Sequence, residues 1–141
     1  MNDDPPARIL AVDDDPDALL ILDRLLCRQG YRVFTATGGR SALETLDREP
    51  VDVIVLDVMM PDLDGLQVAA ALRQNEATQG IPIILLTASA HTETRVAAMA
   101  LGVSEFVTKP LNSRDLLTRI RAQLHQRRLG NELDSLLRRP D

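Results

Sequence analysis

Short apolar and β-branched runs alternate with longer stretches of helical period, five times over, along a chain of 141 residues. Strands separated by helix-length segments do not join as tight hairpins. They pair in parallel through right-handed helical crossovers, so the alternation predicts an α/β sheet flanked by five helices. The expected strands are Ile9 to Val12, Arg32 to Thr35, Val51 to Leu56, Ile83 to Thr87 and Glu105 to Thr108. Val53-Ile54-Val55-Leu56 shows no period-two alternation, as befits a central strand covered on both faces. A helical stripe is expected over Ala18-Leu19-Leu20-Ile21-Leu22 with Leu25 and Leu26. Further helices are expected over Ser41 to Arg48, Leu66 to Asn75, Glu93 to Leu101 and Arg114 to Leu124, with Gly30, Pro50, Gly80, Gly102 and Gly130 as stops.

Composition narrows the function classes. A net charge of −5 and an aromatic content of 2% supply neither the clustered cations nor the stacking rings that nucleic-acid binding uses, so no direct nucleic-acid contact is expected. No apolar run approaches the ~18 residues of a membrane span, and the polar Met1 to Ala7 does not read as a signal peptide, which predicts a cytoplasmic protein. The single cysteine, Cys27, lies in the first helical stripe and is expected to be a buried structural thiol.

Open parallel sheets bind ligands beyond the carboxyl ends of their strands, and here those ends carry the chemistry. Asp13-Asp14-Asp15-Pro16-Asp17 follows the first strand, and Asp57-Val58-Met59-Met60-Pro61-Asp62-Leu63-Asp64-Gly65 follows the third. Asp15 and Asp17 read as helix-end carboxylates with Pro16 at an early helical position. Asp13 and Asp14 sit at the strand terminus itself. With Asp57 they would repel one another without a cation, and a hard divalent ion such as Mg²⁺ suits a few carboxylates with open coordination positions. An EF-hand is excluded, because the stretch from Asp13 lacks the required Gly and has Arg24 where a bidentate Glu belongs. Thr87 ends the fourth strand and Lys109 the fifth, which brings a hydroxyl and an ammonium to the same edge. Asp57 is then placed to attack a phosphoryl donor, with Mg²⁺, Lys109 and Thr87 on the phosphoryl oxygens. His91 and His125 lack partners at ligand spacing and read as surface residues.

Ile9-Leu10-Ala11-Val12-Asp13-Asp14-Asp15, Val55-Leu56-Asp57-Val58-Met59-Met60-Pro61 with Asp64-Gly65, Leu86-Thr87-Ala88 and Phe106-Val107-Thr108-Lys109-Pro110 together resemble the response-regulator receiver family of two-component signalling, from about Arg8 to His125. The resemblance implies a flavodoxin-like, doubly wound sheet in the order 2-1-3-4-5. It implies Asp57 as phosphoacceptor, and Asp13 and Asp14 as the acidic pair of a metal set completed by Asp57 and the backbone carbonyl of Met59. Thr87 and Lys109 would bind the phosphoryl group, and the bond before Pro110 would be cis, aiming Lys109 into the site. Thr87 and Phe106 would form the switch that changes a protein-interaction surface. The phosphoryl donor would be a sensor histidine kinase or a histidine phosphotransfer protein. The chain would not be an enzyme beyond self-phosphorylation and slow autodephosphorylation. Met59 and Ser89 would flank the path of a hydrolytic water, and neither carries a carboxylate or amide, so a long-lived acyl phosphate is expected.

Three segments follow from this reading: a disordered 1–7, a receiver domain over 8–126, and a helical extension or linker over 127–141. In the last of these, Leu129, Leu133, Leu136 and Leu137 of a continuing helix want a partner, either the domain itself or a second subunit in a homodimer. Equally, the segment reads as a linker to an output domain absent from this sequence, the readout being that domain or a downstream protein target. The helix either stops at Gly130-Asn131 or continues at a cost of about 1 kcal/mol for the glycine. Two other classes compete. A phosphohydrolase with an aspartyl intermediate commonly needs a second Asp where Met59 stands, and a partner-binding pseudo-receiver would not need the full set Asp14, Asp57, Thr87 and Lys109.

Overall fold

The structure, a computed structural model, describes residues 5–88 and 92–137. Five parallel strands, β1 (Arg8–Val12), β2 (Arg32–Ala36), β3 (Val53–Asp57), β4 (Ile83–Thr87) and β5 (Glu105–Thr108), form one sheet in the order β2-β1-β3-β4-β5. Five helices connect and follow them: α1 (Pro16–Arg28), α2 (Gly39–Arg48), α3 (Gly65–Gln74), α4 (Thr92–Ala100) and α5 (Ser113–Leu137). The expected class, element count and strand order all match. None of the described helices is long and apolar enough to cross a membrane.

Two cores sandwich the sheet. Leu10, Val12, Ile54, Leu56, Ile83 and Leu85 pack with Ala42 of α2, Val68, Ala69 and Leu72 of α3 and Ala98 of α4. Their neighbours Ile9, Ala11, Val53, Val55, Ile84 and Leu86 point the other way, onto Leu19, Leu22 and Leu26 of α1 and Leu116, Leu117 and Ile120 of α5. The unbroken apolar runs of β3 and β4 are therefore divided between two cores, with no residue of either strand left to solvent.

Two expectations are corrected, and one alternative left open is decided. Cys27 is exposed, and its thiol donates to Asp23 Oδ1 at 3.3 Å. Five consecutive apolar residues cannot share one helical face; Leu19, Leu22 and Leu26 take the inward positions, while Leu20, Ile21 and Cys27 turn outward. β3 begins at Val53 rather than Val51, because the amide of Asp52 bonds the Arg8 carbonyl (2.7 Å) and its carboxylate accepts the Arg8 amide (2.8 Å). Finally, α5 runs unbroken through Gly130 to Leu137. Arg127 anchors that passage by donating to the Gly80 carbonyl at 2.9 Å, while Leu129, Leu133, Leu136 and Leu137 stay exposed.

Candidate functional site

The ordering of strands brings the exits of β1, β3, β4 and β5 to one edge. Asp57 is the last residue of β3 and Thr87 the last of β4, and both are buried, as is Asp13 immediately after β1. Asp14 is exposed at the mouth. Single carboxylate oxygens of Asp13, Asp14 and Asp57 all lie within 4.8 Å of one another. Lys109 follows β5, and its Nζ stands 3.5 Å from both Asp13 Oδ2 and Asp57 Oδ2, midway between the two buried carboxylates. The Lys109–Pro110 bond is cis, and the Lys109 amide donates to the Thr87 carbonyl at 2.7 Å, which ties the end of β5 to that of β4.

Local backbone hydrogen bonds hold two of these side chains, Asp13 and Asp57. Asp13 Oδ1 accepts the Asp15 amide at 3.0 Å, and Asp15 caps α1 by accepting the Asp17 amide at 3.0 Å, with Pro16 starting the helix. Asp15 and Asp17 are thus helix-end groups, as expected, while Asp13 both shapes the turn and faces the site. Asp57 Oδ1 accepts the Met59 amide at 3.4 Å, and the Met59 side chain is exposed. Asp64 and Gln67 form a reciprocal capping box at the start of α3, and the Gly65 amide donates to the Val58 carbonyl at 2.9 Å. A side chain at Gly65 would put its Cβ 2.7 Å from the Asp57 carbonyl oxygen, so the glycine permits the closeness of α3 to the end of β3.

Electrostatically the site is short of positive charge. Burial pushes the Asp57 carboxyl above its usual range, Lys109 opposes this, Asp13 reinforces it, and the Met59 amide draws it down. Three carboxylates face one ammonium, and all the grouped donors are hard oxygens. That donor set fits a small divalent cation with open positions, two carboxylates coming from the protein interior and one from the mouth.

Phe106 stands in β5, half-buried against the core shared by α2, α3 and α4, with the Arg95 guanidinium of α4 5.1 Å above its ring. His125 is exposed. Ser89 and His91 lie outside the described residues. One contributor was not singled out from the sequence. Asp62, in the loop between β3 and α3, accepts the backbone amides of Gly39 (Oδ1, 3.1 Å) and Arg40 (Oδ2, 3.1 Å) at the start of α2. The adjacent pair Gly38-Gly39 is the visible trace of that contact in the sequence, although nothing in it points to a partner more than twenty residues away.

Comparison with known proteins gives a consistent picture. Residues 9–121 match the family described as the response regulator receiver domain. The transcriptional regulatory protein CpxR of Escherichia coli (strain K12) is 41% identical over 119 residues, covering 84% of this chain and 50% of CpxR. The chain spans about half the length of the curated relatives it matches in this way. Among solved structures, the chemotaxis protein CheY4 of Vibrio cholerae superposes with a TM-score of 0.80 at 32% identity, over 83% of this chain and 98% of that one. A CheY-like receiver domain protein from Methanospirillum hungatei JF-1 gives 0.84 at 28% identity, over 89% and 98%.

Proposed function

The chain belongs to the response regulator receiver domain family of two-component signalling, and from that premise we propose that Asp57 is its phosphoacceptor, working with a magnesium ion held by Asp13, Asp14, Asp57 and the Met59 backbone carbonyl. The observation that carries this reading is the buried Asp57 carboxylate at the end of β3, with Lys109 Nζ 3.5 Å away and the carboxylates of Asp13 and Asp14 beside it.

In this reading a carboxylate oxygen of Asp57 attacks the phosphorus of a phosphohistidine. A P–O bond forms, the P–N bond breaks, and its electron pair returns to the imidazole as leaving group. Lys109 neutralises charge on the phosphoryl oxygens, and the Thr87 hydroxyl hydrogen-bonds one of them. Magnesium, when bound, supplies further neutralisation of those oxygens as a Lewis acid. No separate base is required, because the ionised form of the carboxyl is itself the nucleophile. The donor is a sensor histidine kinase or a histidine phosphotransfer protein. The output is a changed protein-interaction surface, read through Thr87 and Phe106. Residues 8–126 form the receiver, and the extension from residue 127 onward serves as a helical connection to an output domain or as the seam of a homodimer. The protein is a signalling phosphoacceptor, without turnover as an enzyme beyond self-phosphorylation and slow autodephosphorylation. The phosphoryl group is long-lived, since the exposed Met59 side chain offers nothing to orient a water.

Incubation with a small acyl-phosphate donor, with and without Mg²⁺, followed by intact mass measurement, tests the reading. The expected result is one phosphoryl adduct that needs Mg²⁺ and disappears in Asp57→Asn. Repeated release of phosphate would instead identify a phosphohydrolase, and an absence of adduct would identify a pseudo-receiver.

A further inference from the structure

The loop between β3 and α3 carries Met59, so how that loop is held decides where the Met59 carbonyl points. Its two ends are fixed locally, by the Met59 amide on Asp57 and by the Asp64–Gln67 capping box. Met60 sinks into the core beside α2, α3 and α4. Its middle is held by Asp62 alone among the polar side chains of the loop, through the two bonds to the Gly39 and Arg40 amides. These amides are at the first turn of α2, where helical N–H groups have no partner within the helix and the dipole favours an anion. The N-cap position of α2 is Gly38, which has no side chain to satisfy them. Asp62 is therefore a cap supplied from a different loop.

The sequence is shaped around this contact. A Cβ on Gly38 would sit 3.1 Å from each Asp62 carboxylate oxygen, and one on Gly39 would sit 2.6 Å from Leu63 Cβ and 2.8 Å from the Leu63 carbonyl oxygen. The Gly38 backbone is extended (φ −165, ψ 169), a conformation open to any residue, so space rather than backbone freedom accounts for the glycine there. The Asp62 carboxyl lies well below its usual range, at about 2, drawn down by the amides of Arg40, Leu63 and Gly39.

We propose that Asp62 is a positioning residue for the divalent-ion site: by clamping the loop onto the start of α2, it fixes the backbone that presents the Met59 carbonyl. The inference rests on the reading of Met59 given above. It predicts weaker Mg²⁺ binding when the clamp is loosened, by a route that does not pass through the charge of Asp62.

Two variants separate these routes. Asp62→Ala removes the clamp and the charge together, whereas Gly38→Ala sets a methyl 3.1 Å from both carboxylate oxygens, loosening their fit on the amides while leaving the charge in place. Mg²⁺ is titrated calorimetrically into wild type and both variants at fixed ionic strength, and amide hydrogen exchange is followed at Gly39 and Arg40. Asp62→Ala is expected to bind Mg²⁺ about tenfold more weakly, in the range typical of groups that support metal ligands. Gly38→Ala should shift in the same direction by less, and both should exchange the two amides faster. Acyl-phosphate acceptance should fall at limiting Mg²⁺ and recover at saturation, a split that a general loss of folding would not produce. If Asp62→Ala does not fold, Gly38→Ala alone decides. Faster exchange with unchanged Mg²⁺ affinity overturns the proposal, as does a loss confined to Asp62→Ala that vanishes at high salt. A wild-type protein that binds no Mg²⁺ overturns the underlying site reading and this proposal with it.

Discussion

The two edges of the sheet handle charge in opposite ways. At the amino edge, before β4 and β5, the Arg73 guanidinium donates to four backbone carbonyls: Leu101 (2.9 Å), Gln79 (2.7 Å), Ile81 (3.0 Å) and Gly102 (2.9 Å). At the start of β1, Arg8 pairs with Glu49, donates to the Pro50 carbonyl and lies over the Phe34 ring. Arg73 and Arg8 there meet several acceptors each and tie the loops down, while the buried Nε of Arg127, 3.9 Å from Asp52 Oδ1, is left without a hydrogen bond among the described residues. At the carboxyl edge two carboxylates are buried around one lysine that reaches neither closer than 3.5 Å. The raised Asp57 carboxyl states the cost. A carboxyl whose folded value lies above its unfolded one favours folding while protonated, and that contribution is lost as pH rises through the folded value. The amino edge is tied down by its cations, whereas the carboxyl edge carries an excess of negative charge, the imbalance that the proposed divalent cation would offset.

Exchanging the defect between the edges breaks this comparison if it is wrong. Lys109→Ala removes the only ammonium facing Asp13 and Asp57 among the described residues. Acceptance from an acyl-phosphate donor should fall by about 10²-fold, the scale set by losing one group aimed at transition-state charge. Arg73→Ala does the reverse. Leaving four carbonyls without their donor should lower stability by about 2–3 kcal/mol, with the acceptance rate of the folded protein unchanged. Denaturant unfolding and rate measurements on both variants give four numbers, and an Arg73 variant that loses rate without losing stability would erase the distinction.

The carboxyl edge was far more legible in the sequence than the amino edge, for a physical reason. Strands β3 and β4 announce themselves by unbroken apolar runs, and whatever follows such a strand in a parallel sheet arrives at one place. Asp13, Asp14, Asp57, Thr87 and Lys109 are thus brought to one edge by counting strands. Arg73 follows no such rule. It sits in the last turn of α3, where an arginine ordinarily reads as a solvated helix-end charge, and its partners are backbone carbonyls that leave no trace in residue identity. Asp62 was missed for the same reason, because its partners are two amides in another element. Cys27 was misjudged where five apolar neighbours blurred the helical phase. The passage of α5 through Gly130 was left open because propensity favours a stop by only about 1 kcal/mol, which the anchoring of Arg127 on Gly80 can offset.

The smallest effect concerns the link between α2 and the site loop, and it is separable by pH. The folded-state value of Asp62, about 2, lies below the ordinary 3.8. A depressed carboxyl contributes stability that is present above the unfolded value and is lost as pH falls through the folded one. Asp62→Asn keeps the size of the side chain but replaces one of its two acceptors with a donor. Its melting temperature should therefore lie below that of wild type at pH values above about 4, and the gap should close as the pH falls towards about 2. The other carboxylates titrate in both proteins, so the difference between the two curves isolates Asp62. Because the side chain is open to solvent, the gap should also shrink in high salt, unlike the loss from Arg73→Ala. A gap that is independent of pH would mean that Asp62 acts through shape alone, and the charge-assisted cap on α2 would have to be abandoned.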